Sequence, residues 1–258
     1  MTVPTYFLLW VLLSALAPLW IPVAFVVGIF RRCSFVILRL MMFLWAYLAT
    51  ELVGLVAAAG IYLITRGNLE RREDLFFRLE CWWGNLMFEW LCLFLSLTAS
   101  IEGEEQILPG PVLVFIRHAS IIDTLLPVAL LSNAAGLRLR YVFKRELLID
   151  PCLDVAGHAS HYYFIDRGGD TDEELANIRQ LAENLGERGV LLYPEGTRFT
   201  ERKKRIAIER LAETHPDLVP LAESLQHCLP PKPGAALTLL DTAPDADVLI
   251  VAHRGLEG

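Results

Sequence analysis

Charge is so unevenly spread along this chain that its first quarter cannot fold as a soluble domain. Residues 1–65 contain only Arg31, Arg32, Arg39 and Glu51 as charged groups, a net of +2. Since the 258 residues together carry −7, the remainder carries −9. The first segment has the composition of membrane-embedded protein. The rest has that of an ordinary globular domain, long enough to bury a core without disulfide or metal staples. A fully soluble protein, a disordered chain and a collagen-like one are excluded. The acidic balance of the globular part speaks against a nucleic-acid partner. Cys33, Cys81, Cys92, Cys152 and Cys228 are odd in number, scattered, and form no CxxC or Cys/His cluster. Buried free thiols in a reducing compartment are expected, and no metal site.

Tyr6 to Phe30 is an uncharged run long enough to cross a hydrocarbon core of ~30 Å. It is too long for a signal-peptide core and has no charged n-region, so it is expected to be retained. Leu40 to Thr65 is a second run, interrupted only by Glu51. Glu51 has no partner visible in the sequence and reads as a neutral or helix-paired acid rather than a functional carboxylate. A third apolar stretch, Cys81 to Leu97, carries Trp82, Trp83, Phe88 and Trp90 together with Glu89, which fits an interfacial helix. Residues 1–97 are therefore expected to form an all-helical, membrane-embedded and interfacial region.

From residue 98 the pattern changes to short strands alternating with amphipathic helices. Strands are predicted at Pro111–Ile116, Leu139–Phe143, Tyr162–Ile165, Val190–Tyr193 and Val248–Val251. Helices are predicted at Ile121–Leu131, with Ser120 and Asp123 in capping-box spacing, at Glu173–Glu187 and at Glu201–Glu213. Strands separated by helices make 98–258 an α/β domain whose mixed, mainly parallel sheet is flanked by helices. The stop directly after an apparent strand leaves open whether Gly258 is the natural end.

Ligands of such folds bind beyond the carboxyl ends of the strands, and three strand ends carry chemistry. The first is Arg117-His118-Ala119-Ser120-Ile121-Ile122-Asp123. An imidazole oriented by a carboxylate is a general base, because the acid fixes the tautomer and stabilises the imidazolium. A helix cap at Asp123 beside an ordinary loop histidine is the plainer alternative. From 6 His and 11 Asp, ~0.26 HxxxxD matches are expected by chance, yet two occur. The second, His161–Asp166, runs through the strand-like HYYFID, where residues five apart point to opposite faces, so it is set aside. The second strand end is Phe164-Ile165-Asp166-Arg167-Gly168-Gly169, where a guanidinium beside a glycine turn suits a phosphate, or a local ion pair with Asp166 or Asp170. The third is Tyr193-Pro194-Glu195-Gly196-Thr197-Arg198-Phe199, where Gly196 admits a ligand to the backbone and Glu195, Thr197 and Arg198 offer polar contacts. A turn closed by a Glu195–Arg198 bridge is the alternative there.

HxxxxD, then FIDR, then PEGTR, in that order and each after a strand, resemble the lysophospholipid acyltransferase family over roughly residues 98–258. The resemblance implies that His118 is the base and Asp123 its orienting acid. It implies that Arg167, Glu195, Gly196, Thr197 and Arg198 bind the acceptor's phosphate and glycerol. Lys144, Pro151 and Gly157 fall where the family has a K-x-x-L…P…G run, and Leu229-Pro230-Pro231-Lys232-Pro233-Gly234 looks like its last proline block. The Phe199-Thr200 pair and that block look closest to the lysocardiolipin-type branch. One departure is Arg117, where the family usually has Asn. With Lys144 it is a candidate donor or headgroup contact.

The activity this implies is transfer of a fatty acyl group from an acyl thioester to a lysophospholipid hydroxyl, 1-acylglycerol-3-phosphate being the first candidate acceptor. Acyl-CoA or acyl carrier protein is the co-substrate, the bilayer is the other partner, and no cofactor or metal is required. Backbone amides near a helix N-terminus are expected to stabilise the oxyanion. A catalytically silent lipid-binding or scaffold relative, or a lipid phosphatase or esterase, are the other classes such a chain could belong to. Two basic segments, Arg138 to Arg145 and Arg198 to Arg205, suggest a cationic face for anionic headgroups, with a solvated helix as the alternative for the second. Arg31, Arg32 and Arg39 lie between the apolar runs and Arg66, Arg71, Arg72 and Arg78 after them, so the positive-inside bias does not orient a two-span hairpin. Acyl thioesters are cytosolic, so an integral, monotopic entry from the cytosolic leaflet of a bacterial inner membrane is expected, with the catalytic domain toward the cytoplasm.

Overall fold

Pro18 breaks the first apolar run. In a computed structural model, which describes residues 2–31, 35–107, 110–120, 122–166 and 171–255, α1 (Thr2–Ala15) and α2 (Ala17–Arg31) meet at 68°. Proline has no N–H to continue the ladder and disfavours helical geometry in the residue before it. The indole of Trp20 donates instead to the Leu13 carbonyl at 2.8 Å, in the last turn of α1. The expected single span over Tyr6–Phe30 is thus a bent pair.

Contacts divide the chain into two units. The first comprises residues 1–104, 128–134 and 146–160, and the second 105–127, 135–145 and 161–258. In the first, α3 (Val36–Thr65) is long and apolar enough to cross a membrane, at ~45 Å by its rise per residue. It packs most extensively on α4 (Leu69–Leu95). Asn68 caps α4 by accepting from the Arg71 amide at 2.9 Å. The helix therefore begins a dozen residues before the apolar stretch at Cys81, which is its second half rather than a separate interfacial helix. Gly84 lets Val128 lie against α4, since a Cβ there would come 2.3 Å from Val128 Cγ1. Ala58, Ile61 and Phe76 form a core with Val155, Ala156 and Ala159 of α5 (Pro151–Ala159).

Glu51, fully buried in α3, finds the partners its sequence neighbourhood hides. Its carboxyl accepts from Trp83 Nε1 at 2.7 Å and from the Cys152 amide at 3.1 Å, and shares a hydrogen bond with Asp150. Asp150 caps α5 through the Leu153 amide at 2.9 Å and accepts from the Tyr47 hydroxyl at 2.8 Å. None of the four described cysteines is in a disulfide, and of these Cys152 is buried.

The second unit is built on five strands, β1 (Val112–Ile116), β2 (Arg138–Lys144), β3 (Tyr163–Ile165), β4 (Arg188–Leu192) and β5 (Asp247–Val251). Their order is β3-β2-β4-β1-β5 and every pair is parallel. Central parallel strands are covered on both faces, which is why PVLVFI and VLLY are continuous apolar runs. Leu113, Val190 and Leu192 pack with Ile178, Leu181 and Ala182 of α6 (Thr171–Ala182) and with Leu239. Three further helices follow β4, namely α7 (Glu201–Thr214), α8 (Val219–Ser224) and α9 (Pro233–Thr242), which carries Leu239.

The helix expected over Ile121–Leu131 is irregular. A 3-10 turn at Ile122–Thr124 leads into a seven-residue π-helix at Pro127–Asn133. Pro127 cannot donate to a preceding turn, and Asp123 bonds back to the loop instead of capping a regular helix. The basic residues of β2 are also spread along a strand. Arg138, Arg140 and Lys144 share one face of the strand by its two-residue period, with Arg138 and Lys144 ~20 Å apart at its two ends.

Candidate active site

β1 lies between β4 and β5, so the loops leaving the carboxyl ends of all three are neighbours. They supply residues 117–123, 193–199 and 252–255. In the first loop His118 is buried and its Nδ1 lies 3.2 Å from Asp123 Oδ2. The same oxygen accepts from the Ala119 amide at 2.6 Å and the Ser120 amide at 2.7 Å. The five-residue spacing thus closes into a loop whose centre is the carboxylate. Burial opposes the charge of Asp123, but His118, His253 and the Ser120 amide outweigh it and hold the carboxyl well below the usual carboxylate range. An imidazole whose Nδ1 faces a carboxylate oxygen carries its hydrogen there and its lone pair on Nε2, the nitrogen left to act as base.

The second loop braces the first. Glu195 is buried, its Oε1 accepting from the His118 amide and its Oε2 from the Leu229 amide, both at 2.8 Å. The carboxylate is therefore taken up by backbone, closing neither on Arg198 nor on open space. Phe199 donates its amide to the His118 carbonyl at 2.9 Å, and the Lys232 amide to the Pro194 carbonyl at 2.8 Å. Gly196 has φ +64°, a left-handed turn that other residues adopt at a cost, and a Cβ there would meet the Lys232 side chain at 3.3 Å. Thr197 Oγ1 accepts from Lys203 Nζ at 2.9 Å, and Arg198 is exposed. Lys144 stands at the end of β2, in register with Ile165. Arg167 lies outside the described residues, while Asp166 beside it accepts from Arg145 at 3.3 Å.

Arg117 turns away from the imidazole. Its guanidinium donates to the carbonyls of His227 and His253, tying β1 to the two segments that flank it. The amides of Ala119 and Ser120, the nearest candidates for an oxyanion site, already serve Asp123.

Two site residues are not evident from the sequence. Tyr193 lies against His118, ring centroids 4.7 Å apart and planes tilted by 41°, and donates its hydroxyl to the Asp123 carbonyl at 2.8 Å. Burial, then the Asp123 charge, push its phenol far up, so it stays neutral. His253 brings Nε2 within 3.2 Å of Asp123 Oδ1. The available signal is positional, since His118 and His253 each stand two residues beyond the Ile116↔Val251 pair of adjacent strands. The discarded His161 stands ahead of β3, at the opposite end of the sheet. There it lines a cavity of ≈ 500 Å³ with Arg140, Arg188 and Tyr162. Among the described residues no three His, Cys, Asp or Glu side chains converge as a metal would need.

No match is found among curated proteins or among solved structures. A family model described as Acyltransferase matches residues 99–253, more than half of the chain, including His118, Asp123, the 193–199 loop and His253. By that match the protein belongs to the Acyltransferase family.

Proposed function

We propose that this chain is a membrane-bound O-acyltransferase that moves a fatty acyl group from an acyl thioester to the free glycerol hydroxyl of a lysophospholipid. 1-Acylglycerol-3-phosphate, giving phosphatidic acid, is the acceptor that two arginines after strand ends suit best. The observation that carries this reading is His118 held through Nδ1 by a fully buried, donor-surrounded Asp123. His118 Nε2 removes the hydroxyl proton as the oxygen attacks the thioester carbonyl. The tetrahedral intermediate collapses, the C–S bond breaks, and the imidazolium returns the proton to the leaving thiolate. Asp123 stays ionised and stabilises the imidazolium between these steps. Arg167 and Arg198 are assigned to the acceptor phosphate, and exposure of Arg198 at the carboxyl end of β4 supports its part in this. The apolar α3 and the 68° bend between α1 and α2 support insertion from one leaflet. The cytosolic side of a bacterial inner membrane is the assigned one, because acyl thioesters are there.

The test is incubation of the purified protein with lysophosphatidic acid and either acyl-CoA or acyl carrier protein, products read by mass spectrometry. Phosphatidic acid should require both substrates. Release of fatty acid or phosphate from one substrate alone would point to an esterase or phosphatase. His118→Ala should lower the rate by ~10²–10⁴-fold, the usual effect of losing a positioned base, and His161→Ala should leave it unchanged. Equal activity of His118→Ala and the parent, both folded, would overturn the mechanism.

A further inference from the structure

We propose that His253 is a positioning residue for the acyl transfer, holding the far oxygen of Asp123 so that the near one serves His118. The proposal rests on the reading of His118 as the base. It stands on a division of labour within one carboxylate. Oδ2 takes three donors, namely His118 Nδ1 and the amides of Ala119 and Ser120. Oδ1 makes no hydrogen bond among the described residues; its near neighbour is His253 Nε2, an ion-pair contact at 3.2 Å, and Asp123 has no solvent exposure to supply a water there.

The protonation of His253 follows from its surroundings. Nε2 also lies 3.2 Å from the Arg117 carbonyl oxygen. Both neighbours only accept, so Nε2 carries a hydrogen whether the ring is neutral or charged. Nδ1 is buried without a hydrogen-bond partner among the described residues, which leaves Nε2 as the working end of the ring. The ring itself is anchored, because the Arg117 guanidinium holds the His253 carbonyl. The Arg117 side chain thus ties His253 to the strand end that carries His118.

Two consequences follow for the reaction. First, an Asp carboxyl gripped on one oxygen alone can swing about its last torsion, whereas one gripped on both cannot. His253 therefore fixes the direction of the lone pair that orients His118. Second, the groups facing His253 are the Asp123 carboxylate and the Arg117 backbone, with the Arg117 guanidinium at its own carbonyl and His118 across the carboxylate. The Asp123 carboxylate raises the His253 pKa above the usual histidine value, against burial, which lowers it. When His253 takes its second proton, its imidazolium draws on the same carboxylate charge that orients His118. The acid limb of the rate profile then carries the titration of His253.

The experiment compares His253→Phe, His253→Gln and His118→Ala in the full-length protein with lysophosphatidic acid and acyl-CoA. Glutamine retains an N–H where Nε2–H stands but cannot titrate. Expected for His253→Phe is a fall in kcat between about 10- and 100-fold, the loss of one buried ion-pair contact to the Asp123 carboxylate. Both KM values should stay within about threefold, since His253 touches Asp123 rather than substrate. His253→Gln should recover most of kcat while the part of the acid limb that His253 contributes is lost. Thermal unfolding of each variant checks that the fold is kept. If His118→Ala is inactive but His253→Phe keeps the parent kcat and pH profile, the inference is wrong. An equal loss in His253→Phe and His253→Gln with an unaltered acid limb would also reject it, leaving a structural role. If His118→Ala itself stays active, the reading of the base fails instead.

Discussion

Asp123 and Glu51 are both fully buried acids, one in each unit of the chain, and their surroundings are opposite. Around Asp123 every contact is a donor, comprising two amides and two imidazoles. Around Glu51 there are an indole and an amide, but also a second acid, Asp150. A carboxyl can hydrogen-bond to another only with a proton between them. Burial, the largest influence, pushes the Asp150 carboxyl up, whereas the donors around Asp123 prevail over burial. Burial alone therefore does not decide what an acid does here. The first arrangement stores a charge that can stabilise an imidazolium. The second ties α3 to α4 and α5.

The sharpest way to break this contrast is Asp123→Asn. The amide nearly matches the carboxyl in shape but cannot accept from every donor around it, and it carries no charge for the imidazolium. Steady-state rates should fall ~10²–10⁴-fold, the range for disabling a general base. A loss under tenfold would mean that the charge at Asp123 is dispensable. The acid has a stability signature too. Because its folded pKa is depressed, its contribution is complete above the ordinary aspartate value of about 4 and is lost as pH falls toward the folded value. The parent should therefore lose more stability on acidification than Asp123→Asn does.

Glu51 should behave in the reverse manner. Glu51→Ala removes the acceptor of the Trp83 indole and of the Cys152 amide. Leaving buried donors unsatisfied costs about 1–3 kcal/mol each, read as lowered thermal stability of the detergent-solubilised protein. Glu51→Gln keeps one oxygen for the indole and an N–H for Asp150 but gives up one acceptor, and should cost clearly less than Glu51→Ala. If Gln is as damaging as Ala, the tie depends on charge and the contrast with Asp123 collapses.

What can be read without coordinates follows the range of the forces involved. The strands are legible because a parallel sheet covered on both faces needs apolar runs, and PVLVFI and VLLY are nothing else. His118 and Asp123 are legible because one loop holds both. The bend at Pro18 is written in the sequence but masked by the uninterrupted hydropathy around it. The start of α4 is hidden by its charged first half, and Pro127 is outweighed by the apolar residues beside it. The partners of Glu51 stand 32 and 101 positions away, and His253 is 136 positions from the Arg117 it contacts. Local patterning carries no signal over such separations. Only the strand order, with β5 beside β1, brings the second histidine to the first.

The smallest expected effects come from two tyrosines that play parallel parts. Tyr193 donates to the backbone carbonyl of Asp123, and Tyr47 to the carboxyl of Asp150, each at 2.8 Å. Phenylalanine at either position removes one hydroxyl and keeps the ring. At position 193 the lost bond is neutral, so about 0.5–1.5 kcal/mol of stability should go. The ring keeps its contact with His118, so the rate should change only a few-fold. At position 47 the acceptor belongs to a buried acid pair, so the loss should be larger, up to about 3 kcal/mol, with activity of the folded protein unchanged. Thermal unfolding of both variants beside their rates gives the comparison directly. A greater loss of activity than of stability in Tyr193→Phe would show that its hydroxyl positions Asp123 rather than merely packing there. A greater loss of stability there than in Tyr47→Phe would show that the acid pair contributes less to the helical unit than its geometry implies.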